Sequence, residues 1–200
     1  MTYWTAAPAA RRQRTLTPEA IAAHAVVLLD ELGHEGFSLR RLADRLGVAP
    51  ASLYSRVRGP SDVLDLALDH ALAGDDAVAA AVGSGTALDI LRVLHRHLVE
   101  HPWAVHVIAA APPRGPAYLA LSEAVVIRLD EGGRANPLSS AYAATNLVIG
   151  SALTTHAARR EPGEQIDRDR APTYASLHDS LSATPEEVLD EALLSLLGSG

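Results

Sequence analysis

The sequence predicts an all-α protein in which a small N-terminal unit of short helices precedes a bundle of longer ones. Three observations carry that prediction. Apolar residues recur at helical spacing over almost all of the 200 residues, and no stretch alternates as a half-buried strand would. Pro and Gly punctuate the chain at intervals of helical length. A chain of this size also buries roughly 70% of its unfolded surface, so it needs no disulfide or metal staple. It could form no disulfide in any case, because it contains no cysteine. That absence excludes a thiolate nucleophile and a cysteine-based metal or redox site, and it suits a reducing cytoplasm.

The elements follow in order. Thr17-Pro18-Glu19 opens the first helix with a capping hydroxyl, Pro at the first position and an acid toward the dipole. Ile21, Ala25, Leu28, Leu29 and Leu32 form its apolar face, and Gly33 stops it. A short helix runs from Ser38 to Leu46-Gly47, and a second from Pro50 to about Val57. Gly59-Pro60 breaks the chain, and Ser61-Asp62 caps a fourth helix toward Ala73. Residues 74–86, with three glycines, read as a flexible connection.

The body begins with a long helix over about 86–101, ended by Pro102, and another over about 117–131 after a Pro/Gly break. Residues 135–158 carry no formal charge, which is long enough for a membrane span. Their Asn, Ser, Thr and His content fits a buried interface helix over 137–158 better. Residues 159–172 are charged and hold Pro and Gly, as a mobile loop would. Thr184-Pro185-Glu186-Glu187 is a capping box opening a last helix to about Leu197.

The segment 38–57, SLRRLADRLGVAPASLYSRV, has the pattern of a DNA-binding helix-turn-helix. Leu39, Leu42, Ala43 and Leu46 give the first helix its apolar side, and Gly47 ends it in the left-handed conformation. Val48 packs under the turn, while Leu53 and Val57 anchor the second helix. Pro50, Ala51, Ser52, Tyr54, Ser55 and Arg56 remain outward. Small residues at the start let that helix sit deep in a major groove. Arg56 suits a guanine edge or a phosphate, Ala51 a thymine methyl, Ser52 several acceptors or donors, and Tyr54 a phosphate.

Charge supports a polyanion at this end. Residues 1–60 hold eight arginines against five acids, +3, whereas the remaining 140 hold nine against nineteen, −10. All seventeen basic residues are arginine, so every cationic phosphate contact would be a guanidinium.

Residues 17–72, and above all EGFSLRRLADRLGVAPASLYSRV with the SDVLDLAL helix after it, resemble the DNA-binding domain of the TetR family of bacterial transcription regulators. The resemblance implies DNA-contacting roles for Ser38 and Arg40 at the start of the scaffold helix. It implies the same for Ala51, Ser52, Tyr54, Ser55 and Arg56 on the recognition helix. The family's usual phosphate-binding Lys before the fourth helix is here Pro60, so Arg58 or the helix start at Ser61 would have to replace it. Arg11, Arg12 and Arg14 would form a basic arm over 1–16, before a DNA-binding domain at 17–73 and an effector-binding and dimerisation domain at 74–200.

The 86–102 helix, Trp103 and the GPAYLAL helix resemble the tetracycline-repressor branch. By that resemblance 137–158 and 185–197 form a four-helix bundle across a two-fold axis. Leu138, Tyr142, Thr145, Val148, Ile149, Ala152 and Leu153 make one stripe of the first, and Val188, Leu189, Leu193, Leu196 and Leu197 the face of the second. His95, Trp103, His106, Tyr118, Asn146 and His156 are polar or aromatic groups on apolar elements and are the candidate effector contacts. His97-Leu98-Val99-Glu100-His101 spells HxxEH, but Pro102 follows at once and no third ligand is recognisable, so no metal is expected. No Ser-His-Asp arrangement, P-loop or GxGxxG occurs, and neither catalytic residues nor a cofactor are expected. The expectation is a cytoplasmic homodimeric repressor, bound to a palindromic double-stranded operator and released by a small-molecule effector. The alternative is a helical effector- or partner-binding protein that has lost DNA recognition.

Overall fold

The computed structural model describes residues 16–159 and 166–198. The expected basic arm with Arg11, Arg12 and Arg14, and residues 160–165 of the expected mobile loop, lie outside them. The described residues form eleven helices and no strand. In chain order these are α1 (Pro18–Gly36), α2 (Leu39–Leu46), α3 (Pro50–Tyr54), α4 (Pro60–Ala73), α5 (Asp76–Ser84) and α6 (Ala87–Glu100). Then come α7 (Trp103–Ala110), α8 (Pro116–Glu131), α9 (Pro137–Ala158), α10 (Pro172–His178) and α11 (Pro185–Gly198).

The caps explain most boundaries. Thr17 Oγ1 accepts from the Ala20 N–H at the start of α1, and Ser38 Oγ accepts from Arg41 N–H at the start of α2. Thr86 with Asp89, and Thr184 with Glu187, form reciprocal capping boxes on α6 and α11. Gly47 takes φ 68°, ψ 33°, and Val48 N–H closes back on Ala43 O at 3.0 Å, so α2 ends in a left-handed cap.

Several expectations need correcting. Residues 74–86 are not a connection, because Asp75 caps a real helix there, accepting from Ala77 and Val78 N–H. Helices α7 and α10 are additional. The second short helix stops at Tyr54 rather than Val57, although turn hydrogen bonds carry the chain on through Arg56 and Val57 to Leu53 O. Helix α4 starts at Pro60 with Gly59 as its cap residue, and Asp62 turns its carboxylate back to Arg58 instead of capping. Gly33, at φ 70°, breaks the helical path inside α1, and Leu32 next to it is exposed, not part of the core face.

One continuous apolar core runs from α1 to α11. Helix α4 packs on α1 on one side and on α5, α7 and α8 on the other. Helix α6 lies at the centre of the body, burying Ile90, Leu91, Leu94, His95, His97 and Leu98 against its neighbours. The uncharged α9 is covered rather than lipid-facing along Ala141, Ala144, Val148, Ala152 and Thr155. Among the described residues no helix is long and apolar enough to cross a membrane. The single stripe expected on α9 is two adjoining ones: that buried row, and a second with Leu138, Tyr142, Thr145, Ile149 and Leu153 that is partly or wholly open.

Candidate nucleic-acid interface and effector pocket

The α2–turn–α3 unit is held from beneath. Leu39, Leu42, Ala43, Leu53 and Val57 are buried, and Ala43, with no exposed surface, lets the helices approach closely. This anchoring turns the remaining side chains outward. Ala51, Ser52, Tyr54, Ser55 and Arg56 are all exposed, with Tyr54 at 58% although it is a large aromatic. Arg40 projects from the first turn of α2, while Ser38 is half-buried and spends its hydroxyl on the cap. The Ser55 hydroxyl donates to Ser52 O, leaving its lone pairs outward.

The arginines of this unit divide into two groups. Arg45 is locked bidentately to Glu31 of α1, at 2.6 and 3.0 Å, and Arg41 donates to Gly36 O. Arg58 reaches Asp62 at 3.3 Å. Arg40 and Arg56 have no ion pair or hydrogen bond from their side chains among the described residues. Two guanidiniums and a phenol ring without intramolecular employment thus share one surface with the start of α3. That helix start has no side-chain cap. Such a surface suits phosphate and base-edge contacts.

In the body, the six candidate effector contacts are not brought together. Tyr118 and Asn146 line a half-open cavity of about 430 Å³ between α7, α8 and α9, with Ile108, Val125, Val126 and Ile149 among its apolar walls. This size suits a drug-like ligand. Burial, with Tyr142 nearby, raises the Tyr118 phenol above its ordinary pKa, so it is a hydrogen-bond donor at neutral pH.

The other four sit elsewhere. His95 is buried with Nε2 3.2 Å from Ser151 Oγ, and borders a separate groove between α6 and α11. Burial lowers its pKa. Trp103 is 2% exposed and donates from Nε1 to Asp30 Oδ1 at 2.6 Å. His106 stacks near His34 of α1, ring centres 5.4 Å apart, and His156 Nε2 lies 3.3 Å from Val99 O. These positions follow from packing. Trp103 and His106 lie on α7 toward α1, and His156 points from α9 toward α6.

The two histidines of the HxxEH sequence do share a helix face, with ring centres 4.8 Å apart. Each is already committed to a carboxylate. His97 Nδ1 lies 3.0 Å from Asp75, and His101 Nδ1 lies 2.7 Å from Asp30. Among the described residues no group of three or more potential ligands is suited to a metal.

Two further side chains, Asp69 and Arg114, stand at this cavity or brace its wall. Asp69 of α4 accepts from the Ala117 N–H at 2.6 Å and the Tyr118 N–H at 3.4 Å, capping α8 from outside. The approach is so close that a Cβ on Gly115 would lie 2.3 Å from that carboxylate. Nothing local in the sequence announces a contact across 48 residues. Arg114 stands at the cavity without an ion partner among the described residues. Its signal was available, as it is the only formal charge in 101–122.

No protein-family model matches the chain. An HTH-type transcriptional regulator of Saccharopolyspora erythraea is 38% identical over 178 residues, which cover 86% of this chain and 72% of that protein. The HTH-type transcriptional repressor DrrR1 of Streptomyces coeruleorubidus is 31% identical over 144 residues, 69% of this chain and 53% of that protein. The chain therefore spans about half the length of this second relative. In fold, it superposes on a possible TetR family transcriptional regulator from Streptomyces coelicolor with a TM-score of 0.76, at 24% identity, over 91% of this chain and 97% of that one. It superposes on the Streptomyces coelicolor TetR family protein ActR, in complex with actinorhodin, with a TM-score of 0.68 at 22% identity, covering 92% and 99% of the two chains.

Proposed function

Because the chain belongs to the TetR family of helix-turn-helix transcriptional regulators, a family of regulators and not of enzymes, we propose that it is a cytoplasmic homodimeric repressor of a palindromic operator, released by a small molecule. In this reading residues 17–73 bind DNA and 74–200 dimerise and bind the effector. The observation that carries it is the exposed α2–α3 face. There Tyr54, Arg40 and Arg56 are held outward by a buried apolar anchor and have no side-chain partner among the described residues. Arg56 and Ala51 read base edges, and Tyr54, Ser38, Arg40, Ser52 and Ser55 position the helix on the backbone. At the α4 start, where Pro60 stands, Arg58 supplies a guanidinium beside a helix N-terminus with no side-chain cap.

The dimer forms through α9 and α11, which pack on each other yet leave Leu153, Val188, Leu194 and Leu196 exposed. The effector enters the cavity between α7, α8 and α9, contacting Tyr118 and Asn146. ActR, of similar fold, is seen with actinorhodin, which supports a ligand-binding body. Release then travels through Asp69. A ligand that shifts the first turn of α8 moves the carboxylate capping it, and with it α4, the helix next to the recognition element.

The test is recovery of bound fragments from the DNA of the source organism by the purified protein, repeated with Tyr54→Ala and Arg56→Ala. A palindromic site recovered by the wild type and lost by both variants is the expected result. Recovery of nothing above background at low salt would overturn the repressor and favour a DNA-silent effector-binding protein.

A further inference from the structure

The cavity between α7, α8 and α9 has a charge composition unlike the body around it. Its lining contains one formally charged side chain, Arg114, and no Asp or Glu. Beyond residue 60, by contrast, acids outnumber arginines nineteen to nine. The other body arginines mostly neutralise one another's surroundings: Arg92 holds Asp190, Arg96 holds Asp75, Arg128 holds Glu131 and Arg159 holds Glu186. The larger groove between α6 and α11, about 770 Å³, is lined by three arginines and five acids, a net negative surface that disfavours an acidic ligand. Arg114 has no ion pair or hydrogen bond among the described residues, and no acid in the lining is placed to give it one.

We infer that this cavity takes an acidic amphiphile, a largely apolar small molecule carrying one carboxylate or similarly acidic group that Arg114 holds at the mouth. The inference rests on reading the cavity as the effector site. Apolar contact with Ile108, Val125, Val126 and Ile149 supplies most of the affinity, and the guanidinium supplies the choice between ligands. A bidentate guanidinium–carboxylate contact beside an apolar wall is stronger than one in open water. A cation of the same shape meets the only charge in the site with the wrong sign. At the α8–α9 side, the Tyr118 hydroxyl and the Asn146 amide have no hydrogen-bond partner among the described residues, so the ligand's apolar body also bears hydroxyl or carbonyl oxygens. Aromatic acids and fatty acids both offer the acidic end, and the experiment separates them.

The test titrates the full chain with two fluorescent probes of similar body, the anionic anilinonaphthalene sulfonate and the uncharged N-phenylnaphthylamine. It uses wild type, Arg114→Gln, Arg114→Lys and Ser122→Trp, the last filling the cavity from α8. Circular dichroism checks that each variant keeps its helices; Arg114 is exposed, so its variants should. The expected result is that Arg114→Gln weakens the anionic probe about tenfold, and Arg114→Lys does so less. The uncharged probe should stay within about twofold of wild type, and Ser122→Trp should remove both. Displacement of the anionic probe by naphthoate alone assigns an aromatic acid, by decanoate alone a fatty acid, and by both the shared class; displacement by neither overturns the inference. Equal response of the two probes to Arg114→Gln also overturns it, while leaving the cavity as the effector site. Probes that bind with Ser122→Trp as they do with wild type would overturn the site itself.

Discussion

Asp30 shows how much one side chain does in this fold. From α1 it accepts both the Trp103 indole N–H at 2.6 Å and the proton of His101 Nδ1 at 2.7 Å, on a single oxygen. The end of α6 and the start of α7 are thereby fastened to α1, the helix on which α2 packs. Trp103→Phe keeps most of the ring volume but removes the donor, and should cost about 1–3 kcal/mol in urea unfolding. A midpoint equal to wild type would show the contact to be idle. Gly115→Ala introduces a methyl where Asp69 already sits. It should leave effector binding nearly intact while reducing the effector-induced loss of operator affinity at least threefold, read by anisotropy with and without ligand. At this scale the side chains left outward on α3 were legible in the sequence, and the separation of the six candidate effector contacts was not. Tyr54 and Arg56 could be placed outward because Leu53 and Val57 fix the helix phase. Trp103 and His106 were grouped with Tyr118 on chemistry alone, and only the packing of α7 against α1 separates them.

Elements with a strong local signal were readable. Helices α1, α6 and α11 begin at the hydroxyl-capped positions expected, and α9 has its expected bounds because Pro137 starts it within an uncharged run. The helices that escaped are α5, α7 and α10, each nine residues or shorter. Helix α5 is mostly Ala and Val beside two glycines, so its composition hides its phase. Helix α7 is apolar nearly all round, with five of eight residues buried, and offers no polar face to read. What stabilises α5 is the Asp75 cap with its two side-chain partners, His97 and Arg96. Burial alone would push that carboxyl up; its hydrogen bonds to His97, Val78 N–H and Arg96 outweigh this and hold it at about 2. A depressed carboxylate stabilises the fold above its unfolded value, near 4, and loses that contribution as pH falls toward 2. Asp75→Asn retains the cap and removes the charge. It should cost about 2 kcal/mol at neutral pH, and the gap to wild type should close between pH 4 and 2. A gap independent of pH would mean that the charge contributes nothing.

For the whole molecule, charge and exposed apolar surface say more than fold class. The +3 of residues 1–60 against the −10 of the rest directs a polyanion to one end, despite a net charge of −7. The opposite region leaves Leu153, Val188, Leu194 and Leu196 uncovered on two helices packed together. Leu153→Glu combined with Leu194→Glu should give a monomer in sedimentation velocity at micromolar concentration. Operator affinity should then fall more than tenfold, because each half-site is bound alone. An intact dimer would move the interface elsewhere. The all-helical architecture was legible from periodicity and punctuation. The contact of Asp69 with the start of α8 was not, since it joins residues far apart in the chain.

The central claim, that two α2–α3 faces read one palindrome, is tested most directly by hydroxyl-radical footprinting of wild type and Arg56→Ala on a recovered duplex. Two protected half-sites centred about one helical turn apart are expected, both lost with Arg56→Ala. A footprint that keeps its pattern and strength in the variant, or that covers a single half-site, would contradict it.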